Sequence, residues 1–407
     1  MKSRVTITIF LLYILGTLII YNIFIDKAGQ ELNKSFTLGN RGIQDIYLNG
    51  WEYFPQEIIT KFNKEYPYIR INFEKADKDN YSNLLKARIA SKVQVDIMSI
   101  MPQDYKDFVS KGYLLDLSNE EYLNNYTNEA RNYVKKLDPL EKEHAVCYKS
   151  YVYGMWYNKT LFERNGVEVP KDYYEFLKVC EKLKSKDIAP LALGVRDNRH
   201  SSYIYLLRLP KLSEIQETWT SGFKGVSIDF ENIATQNIMQ DIEEFVNKDN
   251  LMVDSKYLTY YQAFHEFAKG KAAMIIMDDS SLSLVDSDME KIMDPGVFAI
   301  PYQDSGITAQ VPRNDLGLMM GIFANSEHRE EAKIFLEYLS RPDIAQMYCD
   351  SMLFPPNIQG VNTSNIKYNK LWEPLRSMPG ITMSIDNLEP RTLEQLQVQS
   401  KFIITQE

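Results

Sequence analysis

The residues in this chain best suited to chemistry are aromatic and acidic. Cys147–Leu161 reads CYKSYVYGMWYNKTL, an aromatic-dense strand pattern running into a Tyr-Asn-Lys turn that opens a helical segment. Rings packed this closely beside a chain crossover offer flat apolar faces and hydroxyl edges to a polar ligand, or else they fill a core. Asp278 and Asp279 follow a compact apolar run and precede two serines. Adjacent carboxylates accept hydroxyl or ammonium donors, or they occupy a helix N-terminus where the dipole favours acids. Glycoside hydrolysis needs two carboxyls flanking one bond from different elements, whereas neighbours on a strand end point apart. The sequence carries no Ser-His-Asp signature and no Gly-rich phosphate loop. His144, His200, His265 and His328 are scattered without metal-ligand spacing. The expectation is a binding protein without cofactor or metal, and not an enzyme.

The elements that must position these residues belong to a chain of 407 residues, too long for one ordinary core, so two lobes are expected. Composition is that of a globular protein, with 44% apolar and 25% charged residues. A formal charge of −9 argues against a nucleic-acid partner, which requires a basic face. Tyrosine is frequent, with 27 copies, and combines a ring with a hydroxyl. Val5–Ile25 is uncharged and flanked by Lys2 and Arg4. At about 1.5 Å per residue this stretch matches the hydrocarbon thickness of a bilayer. The basic flank stays cytoplasmic, which places the rest of the chain outside the cell. A retained membrane anchor is favoured over a cleaved signal, because the small-residue cleavage site is poor. No cysteine follows the apolar run, which excludes lipid attachment there; the three cysteines, Cys147, Cys180 and Cys349, are too few and too widely spaced for a disulfide framework.

Periodicity outlines an α/β chain. Strands are predicted at Gln44–Asn49, around Ile69–Phe73, and at Val93–Ile100, with helices between them. That alternation predicts a parallel sheet. Asp172 with Glu175 forms a capping-box signature ahead of the stripe Tyr173, Phe176, Leu177 and Cys180. Further strands are predicted at Ile188–Leu193, Ala272–Met277, Val297–Pro301 and Gly317–Ala324, and Arg341-Pro342 ends a helix.

Six blocks in order resemble the extracellular solute-binding proteins of ABC importers, in the sugar-binding group that includes maltose-binding protein. They are Ile59–Phe73, Lys111–Ser118, Val152–Pro170, Phe267–Met277, Phe298–Tyr302 and Ser326–Gln346. The resemblance implies the two-lobed periplasmic-binding-protein-like fold of type II, with a ligand cleft between lobes that close by hinge bending. The expected division is an anchor or signal over 1–26 and a polar tether over 27–42. Lobe 1 then takes 43–148 and 273–317, and lobe 2 takes 149–272 and 318–407. Hinges are expected near Tyr148, Ala272 and Gly317. The implied function is capture of a sugar or oligosaccharide and its delivery to permease transmembrane subunits. The alternative is a membrane-anchored sensing subunit serving a signalling partner. Relatives carry a further helix after a region like Leu393–Thr405, so that helix is expected to be absent here or to lie beyond the sequence.

The resemblance also nominates contacts. Trp51 and Glu52 follow the first strand, where an indole stacks on ligand or packs a helix and a carboxylate accepts hydroxyls or sits in solvent. Gln103 and Asp104 match a polar loop lining the first lobe, with helix capping as the other role for Asp104. Asp96 is assigned a structural role, as are Asn158 and Lys159. Tyr148 and Tyr151 lie on the crossover strand, where Cys147 replaces a usual proline and Lys149 a neutral polar residue. Arg196, Asn198, His200, Tyr203 and Trp219 are second-lobe candidates, with Arg196 equally a surface residue. At Asp278-Asp279-Ser280 relatives have Gly-x-Trp, so Ser280 stands where a stacking ring is expected. Arg313 precedes the last crossover.

Overall fold

The computed structural model describes residues 42–196, 200, 231, 233–246, 248–304, 307–310, 313–378, 381–382, 395 and 398–399. The anchor and tether calls therefore lie outside the described residues. Among those described, no helix is long and apolar enough to cross a membrane.

The elements run β1 (Gln44–Gly50), α1 (Gln56–Glu65), β2 (Ile69–Lys75), α2 (Lys78–Ala90), β3 (Ile97–Ile100), α3 (Pro102–Ser110) and α4 (Asn128–Leu137). Then come β4 (Val146–Asn158), α5 (Lys159–Arg164), α6 (Tyr173–Lys184), β5 (Ala189–Ala192), α7 (Ile233–Phe245), α8 (Tyr260–Ala268) and β6 (Ala272–Asp278). They continue with α9 (Ser287–Ile292), β7 (Pro295–Phe298), β8 (Pro301–Asp304), β9 (Ile307–Gln310) and β10 (Arg313–Ile322). The last are α10 (Arg329–Ser340), α11 (Pro342–Met352), α12 (Asn369–Ser377) and β11 (Ile381–Thr382).

Local signals account for many of these boundaries. In α1, Ile58, Ile59 and Phe62 are buried on one face, as their spacing predicts. The Asp172 carboxylate caps α6 by accepting from Glu175 N at 2.9 Å, while the Glu175 side chain accepts from Lys171 N at 2.8 Å. Asn158 caps α5 by accepting from Leu161 N at 3.0 Å, and Pro342 takes the first position of α11. The predicted strand Val93–Ile100 shortens to Ile97–Ile100, and Asp96 before it is structural as expected. Its carboxylate accepts from Tyr47 N at 2.9 Å, Gln94 Nε2 at 2.8 Å and Ser326 Oγ at 2.6 Å, joining three segments.

The main sheet runs β2-β1-β3-β10-β4-β6-β5, with β11 against β10 and β7 against β4. It is mixed rather than parallel. The pairs β1/β2, β1/β3 and β5/β6 are parallel, but β10 runs antiparallel to β3 and β4, and β4 runs antiparallel to β6 and β7. The antiparallel pairs arise because β4 and β10 carry the chain between lobes in opposite directions.

Side-chain alternation divides the lobe-1 sheet into two cores. Ile46, Leu48, Val146, Tyr148, Leu318 and Met320 face one core with α1, α10 and α11. Met98, Ile100, Cys147 and Met319 face the other with residues of α2, α3 and α4. Lobe 2 has a single core built from the second half of β4, β5, β6 and the helices around them.

The cores correct the expected lobe boundaries. Residues from Ala272 to Ile300 pack with β4 and β5 in lobe 2, not with residues 43–148. Leu318, Met320 and Ile322, with the buried apolar residues of α10, most of those of α11, and Ile358, pack with β1 and α1 in lobe 1, while Cys349 belongs to the lobe-2 core. Ile366, Trp372 and Leu375 then return to lobe 2. Among the described residues the chain thus crosses at β4, at β10 and between α11 and α12. Ala272 is fully buried in the lobe-2 core and paired with Ala189, so it is not a hinge. Gly317 does lie at a crossing, where the β4/β10 register is irregular. A Cβ there would come within 2.9 Å of Lys149 O and of the Tyr151 ring, so only glycine fits without displacement.

Candidate ligand site

The three crossings converge on a cluster of charge and aromatic rings. β1 ends at Gly50 and delivers Glu52 from lobe 1. Lys149 and Tyr151, two residues apart on β4, both reach it. Lys149 Nζ donates to Glu52 Oε2 at 2.6 Å, and Tyr151 OH donates to Glu52 Oε1 at 3.1 Å. The Lys149 side chain is 7% exposed and that of Glu52 is 23% exposed, so the carboxylate is the open end of the pair. Burial alone would lower the Lys149 ammonium, but the Tyr151 oxygen and the Glu52 carboxylate outweigh it and hold the lysine above its ordinary range. Burial raises the Tyr151 hydroxyl well above the usual phenol range, so it stays a proton donor.

Phe354, on the third crossing, extends this cluster. Its ring centroid is 5.5 Å from that of Tyr151 and 5.6 Å from Lys149 Nζ. On the lobe-2 side the Arg376 guanidinium of α12 lies 6.0 Å from the same ring. Arg376 Nε donates to Asp279 Oδ2 at 2.7 Å, and Asp279 Oδ1 accepts from Val152 N at 3.1 Å. Asn357 ties the third crossing to β4: its N donates to Tyr148 O at 2.7 Å, and its side chain accepts from Ser150 Oγ at 3.1 Å.

This geometry separates the predicted contacts. It brings Glu52 and Tyr151 together and leaves Arg196 exposed beyond β5, its backbone N bonded to Leu258 O at 3.0 Å. Trp51 is turned inward and is 8% exposed, edge-on to Tyr81 at 5.0 Å, which is the helix-packing role. Tyr148 is fully buried, edge-on to Tyr348 at 5.0 Å, with its hydroxyl 3.4 Å from Leu339 O. It is a core residue and presents nothing to a ligand in this conformation. Asp104 is 2% exposed and ion-paired with Lys86 at 3.1 Å in the first turn of α3, whose N-cap is Met101.

The two aspartates at the end of β6 are also turned inward and point apart. Asp278 caps the short 3-10 turn over Asp279–Leu284, accepting from Ser280 N at 2.9 Å and from Tyr260 OH at 3.3 Å. Asp279 is 1% exposed; burial raises its carboxyl against the opposing pull of Arg376 and Val152 N. His200 is buried too: Nδ1 accepts from Gly194 N at 2.8 Å, and Nε2 lies 2.9 Å from Ile276 O as the donor. Gln103 lies in the first turn of α3 and Arg313 opens β10. Asn198, Tyr203 and Trp219 lie outside the described residues. Sequence reasoning missed Phe354 and Arg376, and took Lys149 only as a departure from a pattern. The sequence signal was slight: a lone aromatic before Pro355-Pro356 and an arginine on an amphipathic helix. Among the described residues no group of His, Cys, Asp and Glu side chains is placed to hold a metal ion.

Residues 50–346 match the family described as bacterial extracellular solute-binding protein. A curated relative, the multiple sugar-binding protein of Streptococcus mutans, is 26% identical over 319 residues, covering 75% of this chain and 72% of that protein. Among solved structures, the putative binding protein MsmE of Bacillus subtilis, in an open conformation, aligns with a TM-score of 0.75 at 15% identity, covering 90% of this chain and 93% of that one. The apo form of RafE from Streptococcus pneumoniae aligns with a TM-score of 0.69 at 20% identity, covering 90% and 95%. A sugar transporter of Bacillus licheniformis in complex with stachyose aligns with a TM-score of 0.68 at 17% identity, covering 89% and 95%. These relatives are solute-binding proteins and not enzymes, and their two-lobed α/β fold is the one found here. The match spans nearly three-quarters of the sequence, from the end of β1 to the middle of α11, and this chain belongs to the family of bacterial extracellular solute-binding proteins.

Proposed function

We propose that the chain is the extracellular solute-binding component of an ABC importer. It takes a sugar or oligosaccharide at the crossover and delivers it to permease transmembrane subunits by hinge closure. Val5–Ile25 holds it to the membrane with the binding lobes outside the cell. The observation that carries this reading is the open Glu52 carboxylate, fixed by Lys149 and Tyr151 where both lobes meet. A carboxylate with spare lone pairs beside aromatic rings suits adjacent hydroxyls and the apolar face of a saccharide. The sugar-binding relative and the stachyose-bound neighbour support the choice of ligand class. Glu52 and Tyr151 are the central contacts. Gln103, Arg196, Asn198, Tyr203, Trp219 and Arg313 are proposed as further contacts on the strength of the family resemblance. Lobe closure bends the chain at the three crossings, with Gly317 at one of them.

The test is a thermal-shift screen of the full chain against mono- and oligosaccharides. A saccharide at 100 times its Kd should stabilise the fold by about 2.7 kcal/mol. A panel of neutral and acidic saccharides that leaves the melting temperature unmoved overturns the reading. X-ray scattering with the active saccharide should show compaction, and an unchanged radius of gyration at saturation rules out hinge closure.

A further inference from the structure

The stretch of β4 that carries Lys149 and Tyr151 is held only in part by the sheet. β6 pairs with β4 from Tyr153 onward and not before it. On the other side the β10 register slips on either side of Lys149, which leaves Gly317 and Tyr148 without a register partner. A strand interrupted in this way must satisfy some of its backbone groups elsewhere. Asn357, on the third crossing, does so. Its N donates to Tyr148 O at 2.7 Å, and its Nδ2 donates to Cys147 O at 3.1 Å. Its Oδ1 accepts from Ser150 Oγ at 3.1 Å. One residue therefore grips β4 at positions 147, 148 and 150, on both sides of Lys149. The Cys147 carbonyl fixes the amide orientation, because a flip would set two acceptor oxygens against each other. Asn357 is itself anchored in lobe 1. Its O accepts from Thr127 N at 3.0 Å, and Thr127 Oγ1 caps α4 by accepting from Ala130 N at 3.3 Å. Pro355 and Pro356 join it stiffly to Phe354, whose ring centroid lies 5.6 Å from Lys149 Nζ.

The geometry points to Asn357 as a positioning residue for the ligand site: it fixes the part of β4 that carries Lys149 and Tyr151, and through them the direction of the Glu52 carboxylate. Both donors to Glu52 come from this part of β4. A carboxylate held in place before the solute arrives loses less freedom on binding, so the residue that holds its donors sets affinity without touching the solute. The consequence for affinity rests on the saccharide reading above; the consequence for geometry does not.

Crystals of the full chain and of Asn357→Ala, both grown without saccharide, test the geometry. The parent should keep the bonds from Lys149 and Tyr151 to Glu52, and the variant should lose at least one of them. A variant with both bonds intact overturns the proposal. Titration with stachyose tests the affinity. Asn357→Ala should weaken binding by about 10-fold, and Ser150→Ala, which removes one of the bonds, by about 2- to 3-fold. Gln359→Ala is the control, because Gln359 Nε2 donates to Tyr126 O at 2.9 Å and fastens the same crossing to lobe 1 away from β4. It should leave affinity within about 2-fold of the parent. Equal losses from Gln359→Ala and Asn357→Ala would mean general support of the crossing and would overturn the positioning role. Asn357→Ala combined with Glu52→Gln should lose less than the sum of the single losses, since both act on one carboxylate; additive losses also overturn it. Should Asn357→Ala fail to fold, Ser150→Ala decides by the same crystals and titration, and an unchanged Glu52 with unchanged affinity counts against the proposal. If neither stachyose nor any other saccharide of the screen binds the parent, the saccharide reading falls and the crystals alone decide the role of Asn357.

Discussion

Glu52 and Asp279 are two acids at comparable places, one just past the end of β1 in lobe 1 and one just past the end of β6 in lobe 2. Each is paired with a cation 97 residues away, Glu52 with Lys149 and Asp279 with Arg376. Their exposure reverses within the pairs. Glu52 is the more open member of its pair, whereas Asp279 is 1% exposed beside an Arg376 side chain that is 23% exposed. In lobe 1 the buried cation presents an acid outward; in lobe 2 the buried acid anchors a cation and the crossover backbone at Val152. An acid placed just after a strand is therefore left open in one lobe and enclosed as an anchor in the other, according to which partner is desolvated.

The largest test of that contrast is Asp279→Ala. It leaves Arg376 without its carboxylate and Val152 N without an acceptor, and should cost about 3–5 kcal/mol of stability by denaturant unfolding. A loss below about 1 kcal/mol would show that Asp279 does not anchor the joint. Gly317→Ala comes next. The added methyl meets Lys149 O and the Tyr151 ring at 2.9 Å, and overpacking of this kind should cost about 1–3 kcal/mol. If instead it stabilises the chain, β10 has room at the crossing. Glu52→Gln should leave the fold in place at a cost of about 1–2 kcal/mol, since the partly exposed acid is only one support of Lys149. Its main effect should fall on saccharide affinity, and unchanged binding would move Glu52 to the structural side of the comparison.

The smallest effect is expected at Asp45, near the start of β1. Hydrogen bonds from Arg70 and Asn72 lower its carboxyl to about 2. A depressed carboxylate adds stability that is present above the ordinary carboxylate range and is lost as the pH falls through about 2. Asp45→Asn should therefore cost a little stability at neutral pH, a difference that fades as the pH falls through about 2, and it stays small because the pair is solvent-exposed. An identical acid unfolding curve would show that the pair contributes nothing.

Much of the fold was legible because its signals are local. The helical spacing of Ile58, Ile59 and Phe62, the Asp172 cap and Pro342 at a helix start all act within a few residues. The six ordered blocks pointed to the family that the comparison established. The direction of β10 was not legible, because an apolar strand has the same alternation whichever way it is paired. The lobe assignment of β6 and α10 was inverted for a related reason: periodicity shows that a face is buried, not against which core. Tyr148 shows the same limit at the level of one side chain. Its aromatic ring could serve a ligand or a core, and Tyr348, 200 positions later, decided for the core.

The sequence by itself determined an α/β chain with helical stripes, caps and an acid-and-aromatic vocabulary suited to binding, because those properties depend on spacing within one segment. Only the tertiary structure decided that Glu52 faces outward while Asp279 is enclosed, and that Phe354 and Arg376 join Lys149 where the lobes meet. Burial and charge pairing are properties of contacts between distant segments, and the free energy of an acid depends on the solvent and partner those contacts leave it.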